Sequence, residues 1–323
     1  MRIQRSARTA PGAIPAARRM VQSTWVQAMC LFLGLEQWAN ADNLALRPPE
    51  CARTAVRCVA ERGGFTLRAM FPLRDENPTE LIPFVTLFLI AANVLVWLVV
   101  QGAGAGEPFL ESLCAYGTIP GEVTGRIPAG TFIPLGPSAG CQVGGLSIST
   151  VVTSMFLHGS WMHLIGNMWF LWVFGNNIED SMGHVRYLVF YLLCGALAAG
   201  AHMASAPGSA IPTVGASGAI SGIMGAYLVL YPRVRVLTLF FFVIFIRVFP
   251  VPAWVMLVWW FVLQVLSGST TVSSGGGVAF WAHVGGFVAG VVLIKLFAKP
   301  ILTRAKREGR VVTRSELGRF GGW

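Results

Sequence analysis

Charge is scarce in this chain. Of its 323 residues only 12% are Asp, Glu, Lys or Arg, against about 25% in an ordinary soluble domain. So few charges cannot coat a globule of this size, which argues against a soluble enzyme. Acidic residues are scarcer still, 14 against 24 Lys and Arg, and none lies between Asp180 and Glu308. That gap withholds the acid of a Ser-His-Asp triad from the whole stretch, and with it the paired aspartates of an aspartyl protease. The six Cys show no CxxC spacing, so neither a zinc site nor a thioredoxin motif is indicated. HExxH is missing too, because His163-Leu164-Ile165-Gly166-Asn167 has no Glu and no second His. Zinc proteolysis is thereby disfavoured, and no cofactor or metal is expected.

What fills the space is apolar: 54% of the residues, with a mean hydropathy of +0.64. The expected class is a polytopic membrane protein, all-α, a bundle of six transmembrane helices. A span needs roughly 20 apolar residues. The runs that qualify are Leu81–Val100, Trp161–Phe174 with a polar flank at Asn176–Asp180, Tyr187–Met203, Val214–Tyr231, Ala253–Leu266 and Val278–Phe297. Val236–Ile246 reads as interfacial or packed on the bundle. Pro252 is tolerated in the first turn of the fifth span.

The net charge of +10 is unevenly placed. Basic residues cluster at Arg62–Arg74, Arg186, Arg233/Arg235 and Lys295–Arg319, whereas the loops 102–149, 205–213 and 267–277 hold only Arg126. By the positive-inside rule both termini face the cytoplasm. A bacterial inner membrane is the expected location, with any active site opening to the outside. Nucleic acid is not an expected partner. Residues 1–69 are read as a basic N-terminal extension, disordered or non-native, residues 70–300 as the six-helix membrane domain, and 301–323 as a basic cytoplasmic tail.

Three constellations carry chemistry. Gly215-Ala216-Ser217-Gly218 sits at the outer end of span four, with Gly218 and Gly222 forming a GxxxG pair. It is not the α/β-hydrolase elbow, because Ala219 stands where GxSxG needs Gly. His283 lies near the outer end of span six, and an ionisable residue there is a functional candidate by default. His283 shares a helical stripe with the second GxxxG pair, Gly286 and Gly290. If the two glycine stripes pack together, Ser217 and His283 meet at matching depth. His163 and Asn167, at i and i+4 on span two, can both donate into a shared cavity and suit an oxyanion hole. Each group also has a bland explanation as polar or small-residue helix packing.

Taken together, Thr153-Ser154-Met155-Phe156-Leu157-His158 with His163 and Asn167, Gly215-Ala216-Ser217-Gly218, and Ala282-His283 with Gly286 and Gly290 resemble the rhomboid-family intramembrane serine proteases. The resemblance covers about residues 70–300. It implies Ser217 as nucleophile, His283 as general base, and His163, Asn167 and the Ser217 backbone N–H as the oxyanion hole. It implies as substrates single-pass or polytopic membrane proteins, cut in or near transmembrane segments within the lipid bilayer. Two positions depart from the family pattern. Ser149-Thr150 stands where many members carry Trp-Arg, and Ser221 where some carry a Tyr that stacks on the catalytic His.

The alternative reading is a catalytically inactive rhomboid-like factor that binds membrane proteins. A transporter would require an internal repeat, and none is apparent. Cys114 and Cys141 share the outer loop and could pair as a disulfide or remain free thiols. A chain begun at Met70 is expected to insert and cleave as the full chain does; loss of activity at unchanged expression would count against this.

Overall fold

The computed structural model describes residues 70–135, 140–145, 147–242, 245–271 and 279–307. Two compact units divide them. One holds Pro72–Leu237 and the described residues from Pro250 onward, and the other holds Met70, Phe71 and the described part of Thr238–Phe249. The expectation for residues 1–69 lies outside the described residues, as does most of the expected basic tail.

The first unit is mostly helical. After β1 (Met70–Asp75) come α1 (Phe84–Leu95), which runs on through a π-turn at Val96–Val100, and α2 (Gly106–Tyr116). Two single turns follow, α3 (Pro120–Val123) and α4 (Thr150–Thr153). The bundle itself is built from α5 (Trp161–Met182), α6 (His184–Ser205), α7 (Ser217–Leu230), α8 (Ala253–Thr271) and α9 (Phe280–Phe297), with α10 (Pro300–Arg307) after it. The polar residues Asn176–Asp180 are not a flank. They are the last turns of α5, buried except for a half-buried Asn176.

The helices are apolar on the outside. On α6, Val185, Val189, Leu193 and Leu197 form an exposed stripe at helical spacing, as do Val288, Val292 and Leu296 on α9. Their inner faces mix Gly and Ala with aromatic side chains, Tyr187, Tyr191, Gly195 and Ala198 on α6 and Gly286, Phe287, Ala289 and Gly290 on α9. An exposed apolar belt with glycine and alanine at the helix contacts is the arrangement of a protein solvated by lipid. Among the described residues α6 and α9 are long and apolar enough to cross a membrane, while α1 with its π-turn, α7 and α8 are apolar but shorter.

The expectation of an all-α chain is corrected by two sheets. In the segment 102–149, β2 (Phe132–Pro134) pairs antiparallel with β3 (Gly140–Gln142). β4 (Arg235–Phe242) and β5 (Phe245–Pro252) are neighbours in a second sheet. The physical reason lies in composition: Val, Ile, Thr and Phe dominate this second stretch, and such side chains favour the pleated surface over the helix. Pro252 ends β5 rather than lying inside a helix.

The loop before the bundle has its own small core. Cys114, Ile119, Ile133, Cys141 and Val143 are buried together, and Cys114 and Cys141 form a disulfide 27 residues apart. Thr118 Oγ1 lies 2.8 Å from the Thr150 carbonyl and 2.9 Å from Ser154 Oγ. The Thr153 hydroxyl donates to the Tyr116 carbonyl (2.8 Å). These short polar side chains tie the loop to α4 at the place where a Trp-Arg pair is absent.

At the opposite end of the bundle two carboxylates on α5 cap α1. The first amides of a helix have no partner within it. Buried Glu179 accepts from the Val85 and Thr86 amides (both 2.8 Å) and the Thr86 hydroxyl (2.7 Å), and Asp180 accepts from Leu81 N–H (2.9 Å).

The closest helix contact is between α7 and α9. A Cβ on Gly286 would fall on the Gly218 carbonyl, and one on Gly290 on the Gly222 carbonyl. Gly290→Ala should therefore push the helices apart and cost about 1–3 kcal/mol, read as a lower unfolding temperature in detergent. Gly200→Ala on α6, whose Cβ would meet open space, should leave that temperature unchanged or raise it slightly.

Candidate active site

Three elements bring polar groups to one end of the bundle. Ser160 caps α5, its hydroxyl accepting the His163 amide (3.1 Å), so His163 falls in the first turn of that helix. Ser217 is the first residue of α7, and its N–H is one of the amides that the helix leaves unpaired. His283 lies in the first turn of α9. Because α7 and α9 touch through Gly218–Gly286 and Gly222–Gly290, one turn apart, their first turns lie side by side.

His283 Nε2 and Ser217 Oγ are 2.8 Å apart. On the other side of the ring, His283 Nδ1 lies 2.8 Å from Gln264 Oε1, on α8. An amide oxygen only accepts, so Nδ1 carries the proton and Nε2 is left as an acceptor for the Ser217 hydroxyl. Trp260, one turn before Gln264, packs its ring against His283 with centroids 5.9 Å apart.

His163 is held in the opposite tautomer. The Gly159 amide donates to His163 Nδ1 (3.3 Å), which makes Nε2 the protonated nitrogen. That nitrogen flanks Gly215. A Cβ at Gly215 would sit 2.8 Å from His163 Nε2 and 3.6 Å from Ser217 Oγ, so the imidazole and the hydroxyl border the same point. Gly215 has φ +126°, and its amide is fixed to the Ser154 carbonyl (2.9 Å). Only glycine combines that backbone with that space.

Asn167, one turn along α5 from His163, is buried, and its Nδ2 has no hydrogen-bond partner among the described residues. A buried amide left without a partner is costly unless a ligand atom fills the vacancy. His158 stands behind His163, ring edge to ring face at 5.2 Å. Its backbone is clasped by Gln101, which accepts from its N–H (2.8 Å) and donates to its carbonyl (2.9 Å).

The structure thus places His163 and Ser217 beside Gly215 and His283 on Ser217, with Asn167 one turn along α5 from His163, and puts Gly218, Gly222, Gly286 and Gly290 in the interface between α7 and α9. Sequence reasoning missed Gln264 and Trp260. A signal for the former existed: Gln264 is the only amide side chain between Ala253 and Leu266, in an otherwise apolar helix. Ser221, at the place of the family's stacking Tyr, turns back to the Ser217 carbonyl (2.6 Å).

Residues 146–300 match the Rhomboid domain. This stretch is a rhomboid domain. Rhomboid protein 1, mitochondrial, of Saccharomyces cerevisiae is 29% identical over 165 residues, covering 49% of this chain and 44% of the yeast protein. Rhomboid-like protein 11, chloroplastic, of Arabidopsis thaliana is 39% identical over 75 residues, covering 22% of this chain and 25% of that one. The presenilin-associated rhomboid-like protein, mitochondrial, of Mus musculus is 27% identical over 151 residues, 44% of this chain and 36% of that one. The chain therefore spans less than half the length of each of these relatives. The expectation of a bacterial inner membrane, with cytoplasmic termini, is corrected by these names: they belong to mitochondrial and chloroplastic proteins of eukaryotes.

A donor lost from an oxyanion hole costs about 2.7–4 kcal/mol in the transition state. Asn167→Ala should lower turnover by about a hundredfold or more with little change in substrate binding. An unchanged rate would reduce Asn167 to a packing group.

Proposed function

We propose that this rhomboid-domain chain is an intramembrane serine endopeptidase. It hydrolyses peptide bonds in or near the transmembrane segments of membrane proteins, from a six-span bundle. The observation that carries the reading is the 2.8 Å contact between Ser217 Oγ and the proton-accepting Nε2 of His283, beside a His163 whose Nε2 donates.

Each group has a role in acyl transfer. Ser217 is a weak nucleophile until a base takes its proton. As Oγ attacks the substrate carbonyl, that proton passes to His283 Nε2. The carbonyl oxygen gains negative charge where His163 Nε2–H, Asn167 Nδ2–H and the Ser217 N–H can meet it. His283 then returns the proton to the leaving amine, and water repeats the sequence on the acyl ester. A substrate helix shields its own carbonyls in backbone hydrogen bonds, so helix-breaking residues near its end should favour cleavage.

The test combines a serine-directed fluorophosphonate with a panel of single-pass reporters in reconstituted membranes. The wild type should label at Ser217 and release reporter fragments. Ser217→Ala and His283→Ala should each abolish both, and the double variant should be no worse, because the pair acts as one unit. A wild type that folds but neither labels nor cuts would favour the non-cleaving rhomboid-like factor. Cleavage by Ser217→Ala would overturn the dyad.

A further inference from the structure

The general base in this site is a histidine with no carboxylate behind it, and its tautomer must be decided by something. Neutral imidazole carries one N–H, on either nitrogen. With the proton on Nε2, the ring would present a donor to the Ser217 hydroxyl and could not take its proton. We infer that Gln264 of α8 is a positioning residue that selects the productive tautomer of His283. The inference rests on the proteolytic reading above.

The geometry is symmetrical about the ring. Nε2 lies 2.8 Å from Ser217 Oγ and Nδ1 lies 2.8 Å from Gln264 Oε1. The imidazole is held at both ends by partners from two different helices. Its face is held as well. Trp260, four residues before Gln264 and so on the same face of α8, packs against both His283 (5.9 Å) and Phe287 (6.1 Å). Ser221 of α7 gives the ring no such support, because its hydroxyl is committed to the Ser217 carbonyl. The work of fixing the base has moved to α8.

The chemistry of an amide defines what this residue does. Its oxygen accepts from Nδ1–H and stays neutral, so it sets orientation without supplying a negative charge against the imidazolium. Even a half-buried amide in an apolar helix is costly unless it is bonded, and the Gln264 oxygen is bonded to the His283 ring. Simple helix glue would predict the same contact. It would not predict an effect on the chemical step alone.

The experiment measures saturation kinetics of fluorophosphonate labelling at Ser217 in the reconstituted full chain. Gln264→Met keeps length and volume and removes the acceptor. It should lower the maximal inactivation rate by about 10- to 100-fold, at most the low end of the full general-base effect because the base itself remains, with the half-saturating probe concentration within about twofold. Gln264→Glu, which restores an acceptor at the same reach, should recover at least about tenfold over Gln264→Met. A wild-type inactivation rate in Gln264→Met would overturn the assignment. The second measurement needs no variant: 15N NMR of His-labelled wild type should show His283 protonated at Nδ1 and bare at Nε2, and the reverse tautomer would sink the idea. Failure of the proteolytic reading looks different. There the wild type itself would not label at Ser217, and the assignment would fall with it.

Discussion

Everything at the candidate site depends on how closely α7 and α9 approach. In lipid there is no hydrophobic force to press helices together, so association relies on packing and on short polar contacts. Gly286 meets the Gly218 carbonyl and Gly290 the Gly222 carbonyl with no side chain between. That register places the first turns of the two helices side by side and lets a 2.8 Å contact form between Ser217 and His283. A methyl group on Gly286 or Gly290 would overlap the carbonyl it faces, so the helices would have to part. The glycines are therefore as much a part of the chemistry as the groups they align.

The rest of the unit holds that seam in place from both ends. At the Ser217 end, the disulfide-bridged loop is tied to α4 through Thr118, Ser154 and Thr153, and the Gly215 amide is fixed to the Ser154 carbonyl. At the far end, the Asp75 carboxylate accepts from the Tyr227 hydroxyl on α7 (2.5 Å) and from Asn177 Nδ2 on α5 (2.6 Å). Glu179 and Asp180 complete the N-terminus of α1. Carboxylates are few in this chain. Those three of α5 and the approach to α1 are spent on satisfying backbone and side-chain donors that lipid would leave unpaired.

The two histidines of the candidate site meet opposite kinds of partner at Nδ1, and a partner there selects the nitrogen that carries the proton. Gly159 N–H gives to His163 and leaves a donor at Nε2, while Gln264 takes from His283 and leaves an acceptor there. One residue type can thus offer a donor and an acceptor at the same candidate site. The division of roles comes from a backbone amide and a side-chain amide, with no difference in the imidazoles themselves.

Much was legible in the sequence alone. Hydropathy located the helices of the bundle, because burial in lipid demands long apolar runs whatever the fold. Ser217, His283, His163 and Asn167 stood out because polar groups are rare and expensive in such runs. The boundaries were less legible. Asn176–Asp180 looked like a flank because periodicity says nothing of a distant helix whose amides need acceptors. The stretch after Arg235 was apolar enough for any assignment, and only pairing with a neighbouring segment made it a strand. Gln264 was visible as a polar residue in an apolar helix, but its meaning required knowing which ring lies across from it. Composition and spacing determine which residues can bear chemistry; contacts between residues 19 and 66 apart in the chain, Gln264 and Ser217 with His283, decide which nitrogen carries the proton. That decision belongs to the tertiary structure, because a tautomer is set by a neighbour's lone pair, and neighbours are made by packing.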